Sequence, residues 1–276
     1  MKKTIKLLLA LVLAAAAAFS GWKIWRYTAE RRQSAQYLQT LAGIAAVPRV
    51  PEASEEAPAG TQTDVENAPS VPRMPENADA EDVIPDGTLS DVPLTIDFAV
   101  LQDASPDIIA WIYSEGTPIS YPVVRSADNQ DYLRRLPDGS HSSGGSIFLD
   151  CRCAADFSEA VSIVYGHNMK NDTMFGTLPA YREQAYYDAH PCLWLFTPEQ
   201  TFRLDVLAGM ETGAASEIYS LDAAALAEIT AHSDFQSQHE PEADDRLLLL
   251  STCSYTFENA RYVLLCRLTP CRTDAS

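Results

Sequence analysis

Basic charge is what this sequence has least of. Over residues 94–276, eleven Lys and Arg face 26 Asp and Glu, and the whole chain of 276 residues carries a formal charge of −18. Nucleic-acid phosphates are held by clustered Lys and Arg, so a nucleic-acid partner is excluded. The acidity reports solubility and names no substrate. Near the N-terminus the uncharged apolar stretch, residues 7–22, stops at 16 residues, short of the roughly 20 that span a bilayer. No Cys sits near its end, which removes a lipoprotein anchor. Internal repeats are absent. Cysteines are few, six in all, and Cys151-x-Cys153 is tighter than the usual zinc spacing, so no metal site is expected.

What is present begins with that apolar stretch. Lys6 and Lys23 flank it and can snorkel toward the two headgroup layers, which makes up the missing length. Residues 1–23 therefore read as a transmembrane signal anchor. A cleaved signal peptide is the alternative, because the Ala14–Ala18 run offers small-residue cleavage sites. Either reading exports the rest. Residues 24–47 have helix-forming composition and read as a juxtamembrane helix or stalk. Residues 48–93 hold eight Pro and eleven acids. They bury too little apolar surface to offset chain entropy and read as a disordered linker holding the domain off the membrane.

A folded domain is expected over 94–276. Two short helical pieces are expected at 98–102 and 106–111, the second from a Ser105 cap before Pro106. Strands are expected at 119–124, 146–149, 162–165, 193–197, 202–211, 247–251 and 262–268, each a short apolar run bounded by Gly, Pro, Asp or Asn. Helices are expected at 128–134, 175–187 and 222–235. The chain is thus mostly β with inserted helices. Periodicity alone does not choose a closed barrel over a sandwich.

Three residues carry chemistry. Cys253 follows the buried run Leu247-Leu248-Leu249-Leu250 and two polar residues, a position both rigid and open to substrate. An ordinary half-buried thiol is the bland alternative. For the other five, inert buried thiols or a disulfide compete. His167 follows Gly166 directly after a strand, and imidazole exchanges protons near neutral pH. Arg261 opens the next strand after Cys253. A guanidinium there suits a developing oxyanion, or equally a surface pair with Glu258. Together they suggest acyl transfer through a thioester.

Leu250-Ser251-Thr252-Cys253 followed by Arg261 resembles the sortase signature, with Leu249 standing where that family usually has Thr. Trp111-Ile112-Tyr113, Tyr121-Pro122-Val123-Val124, Gly145-Ser146-Ile147-Phe148-Leu149-Asp150, Tyr165-Gly166-His167-Asn168-Met169 and Met174-Phe175-Gly176 resemble class B sortases in particular. The likeness covers 94–270. It implies a closed eight-stranded sortase-type β-barrel, with the extra class B helix at 222–235. It also implies Cys253 as nucleophile, His167 as general acid/base and Arg261 as substrate and oxyanion stabiliser. Asn129, Leu133, Tyr165, Ser251 and Thr252 would bind substrate, and no cofactor would be needed. The implied partners are secreted proteins ending in a sorting signal of N-P-x-T-[N/G] or S/P-P-x-T-G type, and a peptidoglycan or pilin amine. The implied location is the outer face of a Gram-positive-type membrane. A cell-wall cysteine peptidase that hydrolyses without transfer, and a non-catalytic binding module, are the competing readings.

Overall fold

The computed structural model describes residues 2–49 and 92–271. Eight strands close a mixed barrel: β3 (Ile108–Tyr113), β4 (Ser120–Val124), β5 (Ile147–Leu149), β6 (Val161–Tyr165), β7 (Cys192–Phe196), β8 (Thr201–Gly213), β9 (Leu247–Cys253) and β10 (Ala260–Pro270). Around the barrel they run β10-β8-β7-β3-β4-β5-β6-β9. Closure leaves the barrel no edge strand to pair with another chain. Two seams are parallel, β4 with β5 and β6 with β9. The second brings two distant segments to one end of the barrel. Leu248, Leu250, Val164, Leu264 and Phe202 fill the interior. Leu247, Leu249, Ile163 and Val263 are buried on the outer face. Burial on both faces explains why β9 reads as an unbroken Leu run rather than an alternating one.

Seven of the barrel strands follow the expected runs, with ends shifted by a residue or two. The eighth corrects an expectation. Helix is expected over residues 106–111, yet Ile108–Tyr113 is β3, paired with β4 and β7. Ser105 caps the C-terminus of the preceding helix α2 (Phe98–Ala104) instead of opening a new one. The β-prone run Ile-Ile-Ala-Trp-Ile-Tyr outweighs the Ser-Pro signal. Helix 128–134 reduces to a 3₁₀ turn at Asp131–Leu133. Helix 175–187 becomes a 3₁₀ turn at Leu178–Arg182 followed by α3 (Gln184–Ala189). Helix 222–235 becomes a 3₁₀ turn at Ala223–Leu226 followed by α4 (Ala227–Ala231).

The N-terminal segment departs most from expectation. Helix α1 (Lys2–Ala45) is continuous, and its C-terminal part docks on the barrel. Leu41 and Ala45 are buried in a cluster with Leu101, Trp111 and Phe148. Glu30 accepts the Ser143 N–H at 2.7 Å, and Arg31 donates to Asn171 Oδ1 at 2.6 Å. Strand β1 (Ala46–Pro48) then pairs antiparallel with β2 (Leu94–Ile96), and the Arg49 N–H donates to the Pro93 carbonyl at 2.9 Å. The folded unit therefore starts before Leu94. Most of the Pro-rich segment lies outside the described residues, but its two ends sit side by side. The β1–β2 pairing thus joins the two flanks of residues 51–91. Among the described residues, no helix is long and apolar enough to cross a membrane.

Candidate active site

The parallel β6–β9 seam sets the site. Tyr165 pairs with Ser251, and the Gly166 N–H donates to the Ser251 carbonyl at 3.1 Å. His167 and Cys253 therefore leave the same end of adjacent strands. On the other side of β9, Cys253 is the direct cross-strand partner of Arg261 on β10, the placement the sequence spacing suggested. Among the described residues, no ion pair joins Arg261 to Glu258; its Nη1 donates to the Ala260 carbonyl at 3.0 Å.

These three side chains border a groove of about 280 Å³, and the other five expected residues line the same groove. They do so in different ways. Asn129 accepts the Cys151 N–H through Oδ1 at 2.8 Å. Tyr165 donates to Asp150 Oδ2 at 2.9 Å. Ser251 is buried, and its hydroxyl shares a hydrogen bond with the Tyr219 hydroxyl at 2.9 Å. Thr252 is buried too and donates to the Gly166 carbonyl at 2.8 Å. Both hydroxyls thus brace the site from within.

Leu133 does more than line the wall. Its carbonyl lies 2.8 Å from His167 Nε2. A carbonyl can only accept, so the neutral ring is held as the Nε2–H tautomer. Gly145, with φ +55°, lets the chain pass close by; a Cβ there would lie 2.6 Å from the Leu133 oxygen. Burial, helped by the charges of Arg134 and Arg261, lowers the His167 pKa below its ordinary 6.5, against the opposing pull of the Leu133 hydrogen bond.

Sequence reading missed Tyr219 and the network behind it. Tyr219 enters the groove from a 3₁₀ turn (Glu217–Ser220) between β8 and α4 and stacks on Tyr165, with ring centroids 6.3 Å apart. Arg152 ties the two sides together, bonding Asp150 Oδ2 at 2.8 Å and the Tyr219 carbonyl at 3.0 Å. Burial raises the Asp150 pKa, but its bonds from Arg152 and Tyr165 outweigh this and leave it lowered. The short Asp150-Arg152 spacing was visible in sequence; nothing there linked it to Tyr219. The thiols of Cys153, Cys192 and Cys266 are free, and burial raises the pKa of each. They are the inert class. No cluster of His, Cys, Asp and Glu that could hold a metal occurs among the described residues.

No protein-family model matches the chain. Sortase B of Listeria monocytogenes serovar 1/2a (strain ATCC BAA-679 / EGD-e) is 29% identical over 175 residues, covering 59% of this chain and 70% of the relative. Sortase B of Staphylococcus aureus (strain NCTC 8325 / PS 47) is 28% identical over 180 residues, covering 62% and 74%. Among solved structures, Clostridium perfringens sortase B superposes with a TM-score of 0.58 at 28% identity, over 62% of this chain and 99% of that one. A Staphylococcus aureus sortase B–substrate complex superposes at 0.56 and 27% identity, over 63% and 84%. By sequence and by fold alike, the chain is similar to class B sortases.

Proposed function

We propose that the chain is a cysteine transpeptidase that cuts a sorting motif near the C-terminus of a secreted protein and joins the new end to an amine. The observation that carries this is the convergence of Cys253, His167 and Arg261 at one end of three adjacent strands, beside one groove. In the first half-reaction the Cys253 sulfur attacks the carbonyl of the motif's Thr. His167 takes the thiol proton and passes it to the leaving amine as the C–N bond breaks. With Nε2 committed to Leu133, Nδ1 is the nitrogen that carries this proton. Arg261 offers guanidinium donors to the carbonyl oxygen as it becomes negative. In the second half, an incoming amine attacks the thioester, loses a proton to His167, and restores the thiol.

The groove suits an extended peptide. Asn129's carboxamide oxygen is occupied by Cys151, which leaves its NH₂ as the part to offer a peptide carbonyl. The Tyr165–Tyr219 stack gives an apolar wall for the motif's Pro. Motifs of N-P-x-T-[N/G] and S/P-P-x-T-G type both fit this description. A sortase B solved in complex with triglycine supports a peptidyl amine as acceptor, and a peptidoglycan stem or cross-bridge amine is the proposed one. Kinship with the named relatives supports work at a Gram-positive cell surface. Residues 7–22 are proposed as the single-pass anchor. Exposed Leu11, Leu13, Phe19 and Trp22 on α1, with Lys23 and Arg26 over the Phe19 and Trp22 rings, suit a lipid boundary.

The test is a motif-peptide assay on the purified chain with and without an added amine. Cleavage should vanish in Cys253→Ala, and added amine should divert product from acid to amide. Full activity in Cys253→Ala would sink the assignment. Product that stays acid at any amine concentration would favour a strict hydrolase.

A further inference from the structure

We infer that Asn168 is a positioning residue for the reaction, and that Tyr255 is its support. This rests on Cys253 and His167 being the reacting pair. The backbone pairing of β6 with β9 ends at Tyr165–Ser251, two residues short of both side chains. Left there, the last residues of β9 would be held only from the β10 side, through the Cys253–Arg261 pair. Two side chains extend the seam instead. Thr252 Oγ1 donates to the Gly166 carbonyl at 2.8 Å. One step further on, Asn168 Nδ2 donates back to the carbonyl of Cys253 itself at 2.8 Å. The donors come from opposite sides of the seam, so the tie resists sliding in either direction.

Asn168 is the residue after His167, so this one bond fixes the nucleophile relative to the base. The Cys253–Ser254 peptide is now held on both sides, because the Ser254 N–H donates to the Ala260 carbonyl at 2.8 Å. Tyr255 closes the loop: its hydroxyl donates to the Asn168 carbonyl at 2.9 Å. Its ring is otherwise exposed, at 70%, so core packing does not explain where it sits. The two bonds run in opposite senses between the turn after Cys253 and the loop after His167, as a clasp. Misplacement of reacting groups by about 1 Å costs on the order of a hundredfold in rate. A clasp at this point therefore acts on turnover more than on substrate affinity.

The experiment uses the full chain, a sorting-motif peptide and an amine acceptor, with Cys253→Ala as control. Asn168→Ala should lower kcat at least tenfold with KM within twofold of the parent. Asn168→His, which keeps a ring N–H donor, should recover part of the loss. Tyr255→Phe, a change at an exposed ring, should lower kcat a few-fold, and adding it to Asn168→Ala should cost nothing more. A kcat within twofold of the parent in Asn168→Ala would overturn the clasp, as would losses in the two variants that multiply. An active Cys253→Ala would instead overturn the catalytic reading beneath it.

Discussion

At the scale of single residues, His167 sets the pH behaviour. Its pKa is lowered from 6.5, first by burial and then by Arg134 and Arg261. The neutral ring therefore persists below pH 6.5, and the acid limb of kcat/KM should have its midpoint below that value. Arg261→Gln removes one of the charges opposing protonation. The midpoint should then move to higher pH, alongside a loss of turnover if Arg261 is the oxyanion donor proposed above. A pH–rate profile of the two proteins checks both, and a midpoint that moves down in the variant would contradict the electrostatics. Stability follows the same sign. The unfolded chain takes this proton more readily than the folded one, so the His167 site costs stability as pH falls through 6.5. At this scale the sequence was most readable. A thiol, an imidazole and a guanidinium at strand ends are legible by type and spacing, and the resemblance supplied the roles proposed for them. Tyr219 was not, because it lies in a short 3₁₀ turn with no readable periodicity, and its partners Arg152, Tyr165 and Ser251 are far away in the chain.

At the scale of elements, the loop after β6 carries the tightest packing. A Cβ on Gly166 would lie 2.6 Å from the ring of Phe175, which is fully buried. Phe175 cannot retreat, and its N–H donates to the His167 carbonyl at 3.0 Å. Gly166→Ala should therefore cost about 1–3 kcal/mol through overpacking and displace His167, lowering both Tm and kcat. Thermal unfolding and the peptide assay would measure this, and an unchanged Tm would mean the loop yields freely. Strands were legible because each is a short apolar run with turn residues at its ends. The missed β3 shows the limit of that signal. Pro106 after Ser105 looks like a helix start, and only pairing with β4 and β7 reveals Ile108–Tyr113 as a strand. The helices were over-read for a related reason: residues 222–235 have helical composition, yet the chain there forms a 3₁₀ turn and a short helix.

At the scale of the whole molecule, the N-terminal helix belongs to the body that carries the groove. Leu41 is 3% exposed, and its cluster reaches Phe148, which lines the groove. In a free stalk Leu41→Ala would be neutral. Docked as it is, the change should lower unfolding free energy by about 2 kcal/mol or more, measurable by denaturant titration. Sequence could not show this, because α1 and its partners meet only in three dimensions. The same view recasts residues 51–91. Their flanks are joined by the β1–β2 pairing, so the fold needs no particular length between them. Replacing 51–91 with a four-residue Gly/Ser turn should leave kcat and KM unchanged. Roughly tenfold shortening of a flexible connection also lowers its closure entropy by about 2 kcal/mol, so the shortened protein should unfold at a higher temperature. A spacer would differ in cells. Activity toward a soluble motif peptide would survive, while anchoring in cells would fail as the domain lost its reach. Assaying the shortened protein both in solution and in cells separates the two, and failure confined to cells would restore the spacer.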